Sequence, residues 1–146
     1  MQTRFLRDIG IDERTALLTF NLAPLSARRD MAMRGVIQRT VLGKGPRHFT
    51  EHFRIESGRK LHDPRSDYPS RLTSRSALGL AAVYNLLPAG ITSARTVASF
   101  QGRLQAEMKM RAEAGIPEWS KTYSPRTPVD DNHPLLIDGV ARLIWD

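Results

Sequence analysis

The chain has 146 residues, a formal net charge of +7 and a hydrophobic fraction of 40%, which suits one soluble domain and is too short for a multidomain polymerase or motor. The absence of cysteine excludes disulfide scaffolds, cysteine-ligated metal sites and cysteine nucleophiles. No apolar run approaches the roughly 20 residues of a membrane span, and residues 1–8 lack the apolar segment of a secretory signal.

The first predicted helix covers residues 12–20. Asp12 is suited to cap its N-terminus, because an aspartate oxygen can accept a hydrogen bond from a backbone N–H of the first turn. Ala16, Leu17 and Phe20 fall on one face of this helix and predict the side that packs inward.

The second predicted helix begins at Ser26, as N-cap, and ends near residue 42, where Gly43 is a stop signal. Its predicted buried stripe follows 3–4 spacing and consists of Met33, Val36, Ile37, Thr40 and Val41. This stripe leaves Arg28 and Arg39 on the opposite side, facing solvent or a ligand.

A short helix and a long basic segment follow. Residues 46–53 predict the short helix, in which Phe49 and Phe53, four residues apart, cover the core. Residues 54–74 are polar, rich in arginine and interrupted by Gly58, Pro64 and Pro69. They predict a long basic loop or extended arm, and loops of that length are usually functional or disordered.

Two further helices precede a proline-rich C-terminal segment. Residues 76–87 are apolar on nearly all sides and predict a central buried helix ended by Pro88. Thr96 is suited to cap a long helix that reaches residue 114, with Gly115 as its stop signal. Residues 116–146 show little periodicity and predict an extended tail.

These elements predict an all-α fold, a small bundle of about four to five helices. The helical domain covers residues 1–115 with the basic arm at residues 54–74, and the extended tail covers residues 116–146. A tail without a core of its own needs a surface to lie against. Its predicted anchors, buried against partner chains, are Trp119, Tyr123 and Trp145.

The positive charge is concentrated in the middle third of the chain. Residues 26–76 contain twelve Lys or Arg and five Asp or Glu, whereas the flanking segments each balance to zero. Eighteen of the 22 basic residues are arginine, whose planar guanidinium suits phosphate contacts and buried interfaces alike. This pattern indicates a phosphate-binding surface for RNA or DNA, a surface that docks an acidic protein, or a solvated basic face.

One pattern in the predicted short helix is typical of metal chemistry. His48, Glu51 and His52 match the His-x-x-Glu-His spacing of inverted zinc peptidases. The predicted helix is too short to support such a site, and its phenylalanine pair already gives it a packing role. Two surface histidines are the better interpretation.

A second pattern, Val129-Asp130-Asp131, is similar to the paired carboxylates of polymerases that bind Mg²⁺. Pro128 precedes it and no flanking strand is predicted, so a chance match is the better interpretation. The sequence therefore predicts no enzymatic activity, no metal site and no cofactor.

Three blocks of sequence resemble the C-terminal segment of non-LTR (LINE-type) retrotransposon reverse transcriptases, in particular dinoflagellate-like members. They are Pro-Leu-Ser-Ala-Arg-Arg at residues 24–29, Tyr-Asn-Leu-Leu-Pro at residues 84–88 and Ser-Phe-Gln-Gly-Arg-Leu at residues 99–104. The resemblance covers about 100 residues in the same order, and the catalytic palm of that family is missing. It implies a segment that helps to hold template RNA or target DNA beside a polymerase, and by analogy a nuclear location.

Two hypotheses follow. The first is a non-catalytic nucleic-acid-binding module that contacts the phosphate backbone largely without regard to sequence. Its predicted contacts are Arg28, Arg39, Lys44, Arg47, Arg59, Lys60, Arg65, Arg71 and Arg75. The second is a structural or linker subunit of a large multiprotein assembly, in which the three tail aromatics are buried only against other chains.

Overall fold

The computed structural model describes residues 1–57, 60–62, 76 and 79–137. This part of the chain is predominantly helical, which confirms the predicted all-α class. Its helices are α1 (Gln2–Asp8), α2 (Glu13–Phe20), α3 (Leu25–Val41), α4 (Arg47–Thr50), α5 (Leu80–Asn85), α6 (Ala89–Thr92), α7 (Val97–Glu113) and α8 (Pro134–Ile137). A 3-10 helix (Trp119–Lys121) and an antiparallel hairpin of β1 (Ile55–Ser57) and β2 (Lys60–Leu61) complete the described elements.

Side-chain caps fix the starts of two predicted helices. The Asp12 carboxylate accepts a hydrogen bond from the Thr15 amide at 2.7 Å, so α2 begins where the sequence places it. The Thr96 hydroxyl accepts one from the Ser99 amide at 3.1 Å and starts α7 in the same way. Both caps lie within three residues of their partners, which is why the sequence alone reveals them.

The start of α3 differs from the prediction. The helix begins at Leu25, and Pro24, not Ser26, is its N-cap. The Pro24 carbonyl accepts the Arg28 amide at 2.9 Å, which is the first hydrogen bond of the helix. No side chain caps this helix.

The buried stripe of α3 is rotated from the predicted one. Of the predicted stripe, Met33, Val36 and Val41 are only half-buried. The side chains that point inward include Met31, Arg34, Ile37 and Gln38, together with Ala27 and Thr40. Polar residues therefore occupy positions that an apolar pattern cannot reveal.

α3 packs against α7, and Gly35 lies in this contact. A Cβ added there would lie 2.5 Å from the Gln101 side chain and 3.2 Å from Val97 Cγ1. A side chain at this position would therefore require the end of the Gln101 side chain to move. Gly35 lies seven residues after Arg28, within about 20° of it around the helix axis, so α7 borders the face of α3 that carries Arg28.

A buried polar network joins α3 to α5 and α6. The Gln38 amide oxygen accepts the Tyr84 hydroxyl at 2.6 Å, and its nitrogen donates to the carbonyls of Thr92 at 3.2 Å and Ala94 at 2.9 Å. Every polar atom of the fully buried Gln38 side chain is therefore paired, as burial requires.

The C-terminal segment shares the core of the helical body. Tyr123 and Leu135 belong to the same apolar cluster as Phe100, Leu104 and Met108 of α7. Between residues 116 and 137 the predicted tail contains two short elements, the 3-10 helix and α8, and the rest of this part lies outside helices and strands. These short elements carry too few residues for helical periodicity to appear in the sequence.

The N-terminal helices hold the end of α7. Arg14 of α2 donates from Nε to the Ala112 carbonyl at 2.7 Å and from Nη2 to the Glu113 carbonyl at 3.1 Å. The last carbonyls of a helix have no partner within it, and they carry partial negative charge that a guanidinium complements. Among the described residues, no helix combines the length and the apolar character needed to cross a bilayer.

Candidate nucleic-acid interface

The outer face of α3 carries two of the predicted phosphate contacts. Arg28 and Arg39 are both exposed, and eleven residues of helix place them within about 20° of each other around the axis. They are separated by about 16 Å along the helix, which spans about five phosphates of one duplex strand. Ala32, between them, is also exposed, whereas Gly35 on the same line of the helix is buried against α7.

The turn after α3 carries the next predicted phosphate contact, Lys44. The Gly43 amide donates to Thr40 and the Lys44 amide to Arg39, both at 2.9 Å, and Gly43 has a φ of +72°. This is a Schellman ending, in which the left-handed residue favours glycine. The Arg39 side chain also donates from Nε to the Lys44 carbonyl at 2.9 Å, which ties the last cation of α3 to the turn.

Arg47 follows at the start of α4, and it is exposed, as is Lys44. We call these four side chains, Arg28, Arg39, Lys44 and Arg47, the basic surface. The ion pairs between described residues are Glu107–Arg111 and Glu118–Lys121, and neither involves the basic surface. Its charges are therefore available to an external anion rather than neutralised by described carboxylates.

Two further cations lie in and next to the β1–β2 hairpin, which follows α4 in the chain. Lys60, a predicted contact, and Arg54, which the sequence analysis did not single out, are both exposed. Their neighbours Phe53 and Leu61 are buried and anchor this segment to the core, whereas Ile55 of β1 is 53% exposed. Arg54 lies within residues 26–76, so the excess of positive charge in that segment is the sequence feature that could have identified it. Four other predicted contacts lie outside the described residues, namely Arg59, Arg65, Arg71 and Arg75.

One of the predicted partner-binding aromatics, Tyr123, is buried within its own chain. Tyr123 is 0% exposed, and its hydroxyl donates to the Leu104 carbonyl at 3.0 Å. Trp119 is half-buried against the core of its own chain. The expectation that these side chains are buried only against other chains is wrong for Tyr123, because α7 already supplies its surroundings. Trp145 lies outside the described residues.

Arg34 is a basic residue of the same helix that cannot contact a ligand at the surface. Its side chain is 0% exposed, and its guanidinium carbon lies 5.4 Å from the centre of the Tyr123 ring. Nη1 donates to the Asp30 carbonyl at 2.9 Å, whereas Nε and Nη2 have no hydrogen-bond partner. Burial lowers the pKa of Arg34 to about 10, although Asp30 acts in the opposite direction.

A cleft of about 680 Å³ lies between the start of α3 and the segment that follows α7. Asp30 and Glu118 line it together with Lys121 and Arg126, so its charges balance. Burial raises the pKa of the Asp30 carboxyl, against the effect of Arg34 and other nearby arginines. The cleft therefore does not extend the basic surface.

The residues of the two metal-like patterns are placed as follows. α4 ends at Thr50, so His52 lies beyond the helix that carries His48. Asp130 and Asp131 lie in an exposed turn, where the Asp130 carboxylate accepts the Asn132 amide at 2.9 Å. In the described part of the chain, no three His, Asp or Glu side chains form a group that could hold a metal ion.

The described residues form a small, mostly helical protein with exposed cations on α3, in the turn after it, on α4 and at the hairpin. Comparison with protein-family models, with curated proteins and with solved structures gave no match.

Proposed function

We propose that this chain is a non-catalytic nucleic-acid-binding module that holds the phosphate backbone of RNA or DNA against the basic surface and the hairpin. The observation that carries the proposal is the row of exposed cations on α3 and α4 that have no carboxylate partner among the described residues. Arginine side chains on a fixed helix face suit phosphate oxygens, which lie at regular intervals. The resemblance to the segment beside a reverse transcriptase palm supports the same proposal and a retroelement origin.

Binding is expected to depend steeply on salt and little on sequence. Few aromatic side chains accompany the cations, so base stacking contributes little. Contacts by the four cations of the basic surface and by Arg54 and Lys60 give about six neutralised phosphates. On a duplex this corresponds to a slope of log affinity against log salt of about −5, and to a roughly 10³-fold loss of affinity from 50 to 200 mM salt.

The test is fluorescence anisotropy with a labelled 20-nucleotide single-stranded RNA and a 20-base-pair duplex DNA at 50, 100 and 200 mM salt. The variant Arg28→Gln with Arg39→Gln is expected to lower the slope on the duplex by about 2, because each lost phosphate contact removes about 0.9. The matched control is Arg4→Gln with Arg7→Gln, which changes the net charge equally at exposed residues of α1. A flat salt response, or equal effects of the two variants, contradicts the proposal.

One observation favours the alternative of a subunit in a multiprotein assembly. Phe5 of α1 (56%) and Ile9, the residue that ends this helix (50%), are both exposed and lie four residues apart. Exposed apolar rows of this kind are typical of protein contacts. Purification of the native protein with its partners, before and after nuclease treatment, separates the two functions, because only partners held through nucleic acid are lost.

A further inference from the structure

The root of the hairpin is held by one side chain of α5. The Leu61 amide donates to Asn85 Oδ1 at 2.8 Å, and Asn85 Nδ2 donates to the Leu61 carbonyl, also at 2.8 Å. Leu61 is 24 residues distant in sequence, so this contact joins the hairpin to the helical body. The amide of Asn85 takes the place that a third strand would occupy beside β2.

The hairpin geometry explains why this contact is needed. Leu61 pairs with Ile55, and the adjacent ladder bond runs from the His62 amide to the Arg54 carbonyl at 2.9 Å. The N–H and C=O of Leu61 therefore point away from β1, at the open edge of the hairpin. Its side chain is buried, and buried backbone groups without partners are unfavourable.

The hairpin is too short to hold itself in place. β1 has three residues, β2 has two, and their register is irregular between Ile55 and Ser57. Two-stranded hairpins are marginally stable in water even when they are longer. The position of β2 is therefore set by the buried side chains of Phe53 and Leu61 and by the two hydrogen bonds to Asn85.

We propose that Asn85 is a positioning residue for nucleic-acid binding, which holds the hairpin so that Arg54 and Lys60 present their charges beside the basic surface. The inference rests on the proposed function and specifies how that interface is built. Lys60 directly precedes the clamped residue, and the Arg54 carbonyl is bonded across the hairpin to the residue that follows it. Cations held in place before binding lose less conformational freedom when a phosphate arrives.

The contact requires asparagine in particular. Its carboxamide combines one acceptor and one donor at the spacing of a peptide group. Asn85→Asp keeps the shape and the acceptor but lacks the donor, and its carboxylate faces the Leu61 carbonyl. Asn85→Ala removes both hydrogen bonds. The two variants therefore weaken the clamp by different chemistry, and both are expected to release β2.

The first measurement is amide hydrogen exchange of the free protein, because the Leu61 N–H reports the clamp directly. Exchange of this amide is expected to accelerate at least about tenfold in Asn85→Ala and Asn85→Asp, while amides in the centre of α7 keep their protection. The matched control is Asn132→Ala, which removes an exposed amide from a turn remote from the hairpin in sequence. Unchanged exchange at Leu61 in both Asn85 variants overturns the inference.

The second measurement is the affinity for the labelled single-stranded RNA at 50 mM salt. Asn85→Ala and Asn85→Asp are expected to bind about tenfold more weakly than the unsubstituted chain, whereas Asn132→Ala binds equally. A double-mutant cycle identifies the route of the effect. In a background that carries Arg54→Ala and Lys60→Ala, the Asn85 substitutions should have no further effect, because the cations that they position are absent.

The outcomes separate the inference from the proposed function. An unsubstituted chain that does not bind RNA, although its Leu61 amide is protected, refutes the function and the inference built on it. An unsubstituted chain that binds, with Asn85 variants that bind equally well, overturns the inference alone. An Asn85 effect that persists in full without Arg54 and Lys60 also overturns it, because the residue then supports folding rather than the two cations.

Discussion

Replacement of Arg34 by methionine is expected to stabilise the protein, although it removes a fully buried side chain with visible contacts. The guanidinium has one hydrogen bond, to the Asp30 carbonyl, and two nitrogen atoms without partners. Removal of a charge from water is unfavourable unless its hydrogen bonds are replaced, and exchange of a buried ion for an apolar side chain of similar size is often neutral or stabilising.

The structure indicates the size of the effect. The fall of the Arg34 pKa from its ordinary range to about 10 corresponds to a destabilisation of the charged form by about 3 kcal/mol. Methionine removes this penalty and also removes the contact of the cation with the Tyr123 ring, which contributes about 1–2 kcal/mol. The net expectation for Arg34→Met is a gain of about 1–2 kcal/mol, or about 3–6 °C in Tm.

The assay is urea unfolding at pH 7 followed by circular dichroism, with two further variants. Arg34→Ala leaves a cavity and should lose about 2–4 kcal/mol relative to Arg34→Met. Arg28→Met, an exposed arginine of the same helix, should change stability by less than about 0.5 kcal/mol. If Arg34→Met is destabilised by more than about 2 kcal/mol, the guanidinium has partners that offset its burial, and the reasoning is refuted.

Two further predictions concern the turn after α3 and the C-terminal segment. Gly45→Ala should destabilise the protein by about 1–3 kcal/mol, because the new Cβ would lie 2.6 Å from Thr40 Cα. Gly102→Ala on α7 has open space around the new Cβ and should be neutral or stabilising. The urea midpoints of both variants check this. Burial, reinforced by the nearby arginines, lowers the pKa of His133, whose Nδ1 accepts the Leu135 amide at 3.1 Å. The neutral ring is therefore favoured in the folded state, and stability should fall as the pH decreases below 6.5, by about 1 kcal/mol for the lost hydrogen bond. Urea midpoints at pH 7, 6 and 5 test this, and His133→Asn should reduce the pH dependence while the same change at exposed His52 leaves it in place.

Local signals in the sequence predicted the elements that local interactions define. The starts of α2 and α7 follow from Asp12 and Thr96, which cap backbone groups three residues away. The ends of α3 and α7 are marked by glycines with positive φ, Gly43 and Gly115. Such signals require no knowledge of the rest of the chain.

The inward face of α3 could not be predicted in the same way. It depends on contacts with distant parts of the chain, such as that of Gly35 with Val97 and Gln101, more than 60 residues later. Arg34 and Gln38, which any polarity scale assigns to the surface, are buried by such distant contacts, Arg34 against Tyr123 and Gln38 against Tyr84. The predicted exposure of Arg28 and Arg39 was nevertheless correct.

The hairpin and the packed C-terminal segment were missed for two different reasons. Strands of three and two residues are too short to show an alternating pattern, and the role of Asn85 depends on a contact with Leu61 across 24 residues. Tyr123 lies among prolines that suggest an extended chain. Its packing against α7 depends on a hydrogen bond from its hydroxyl to the Leu104 carbonyl, 19 residues earlier in the chain, which no local pattern reveals.

The hydrogen bonds from Arg14 to the last carbonyls of α7 affect the order in which the chain can fold during synthesis. They join positions 98 and 99 residues apart, so α2 leaves the ribosome long before its acceptors exist. At about 5–20 residues per second, the delay is roughly 5–20 s. Through that interval Leu6, Ala16 and Leu17, which the finished fold buries, have no completed α7 to pack against, so the emerging chain exposes apolar surface that the folded protein covers.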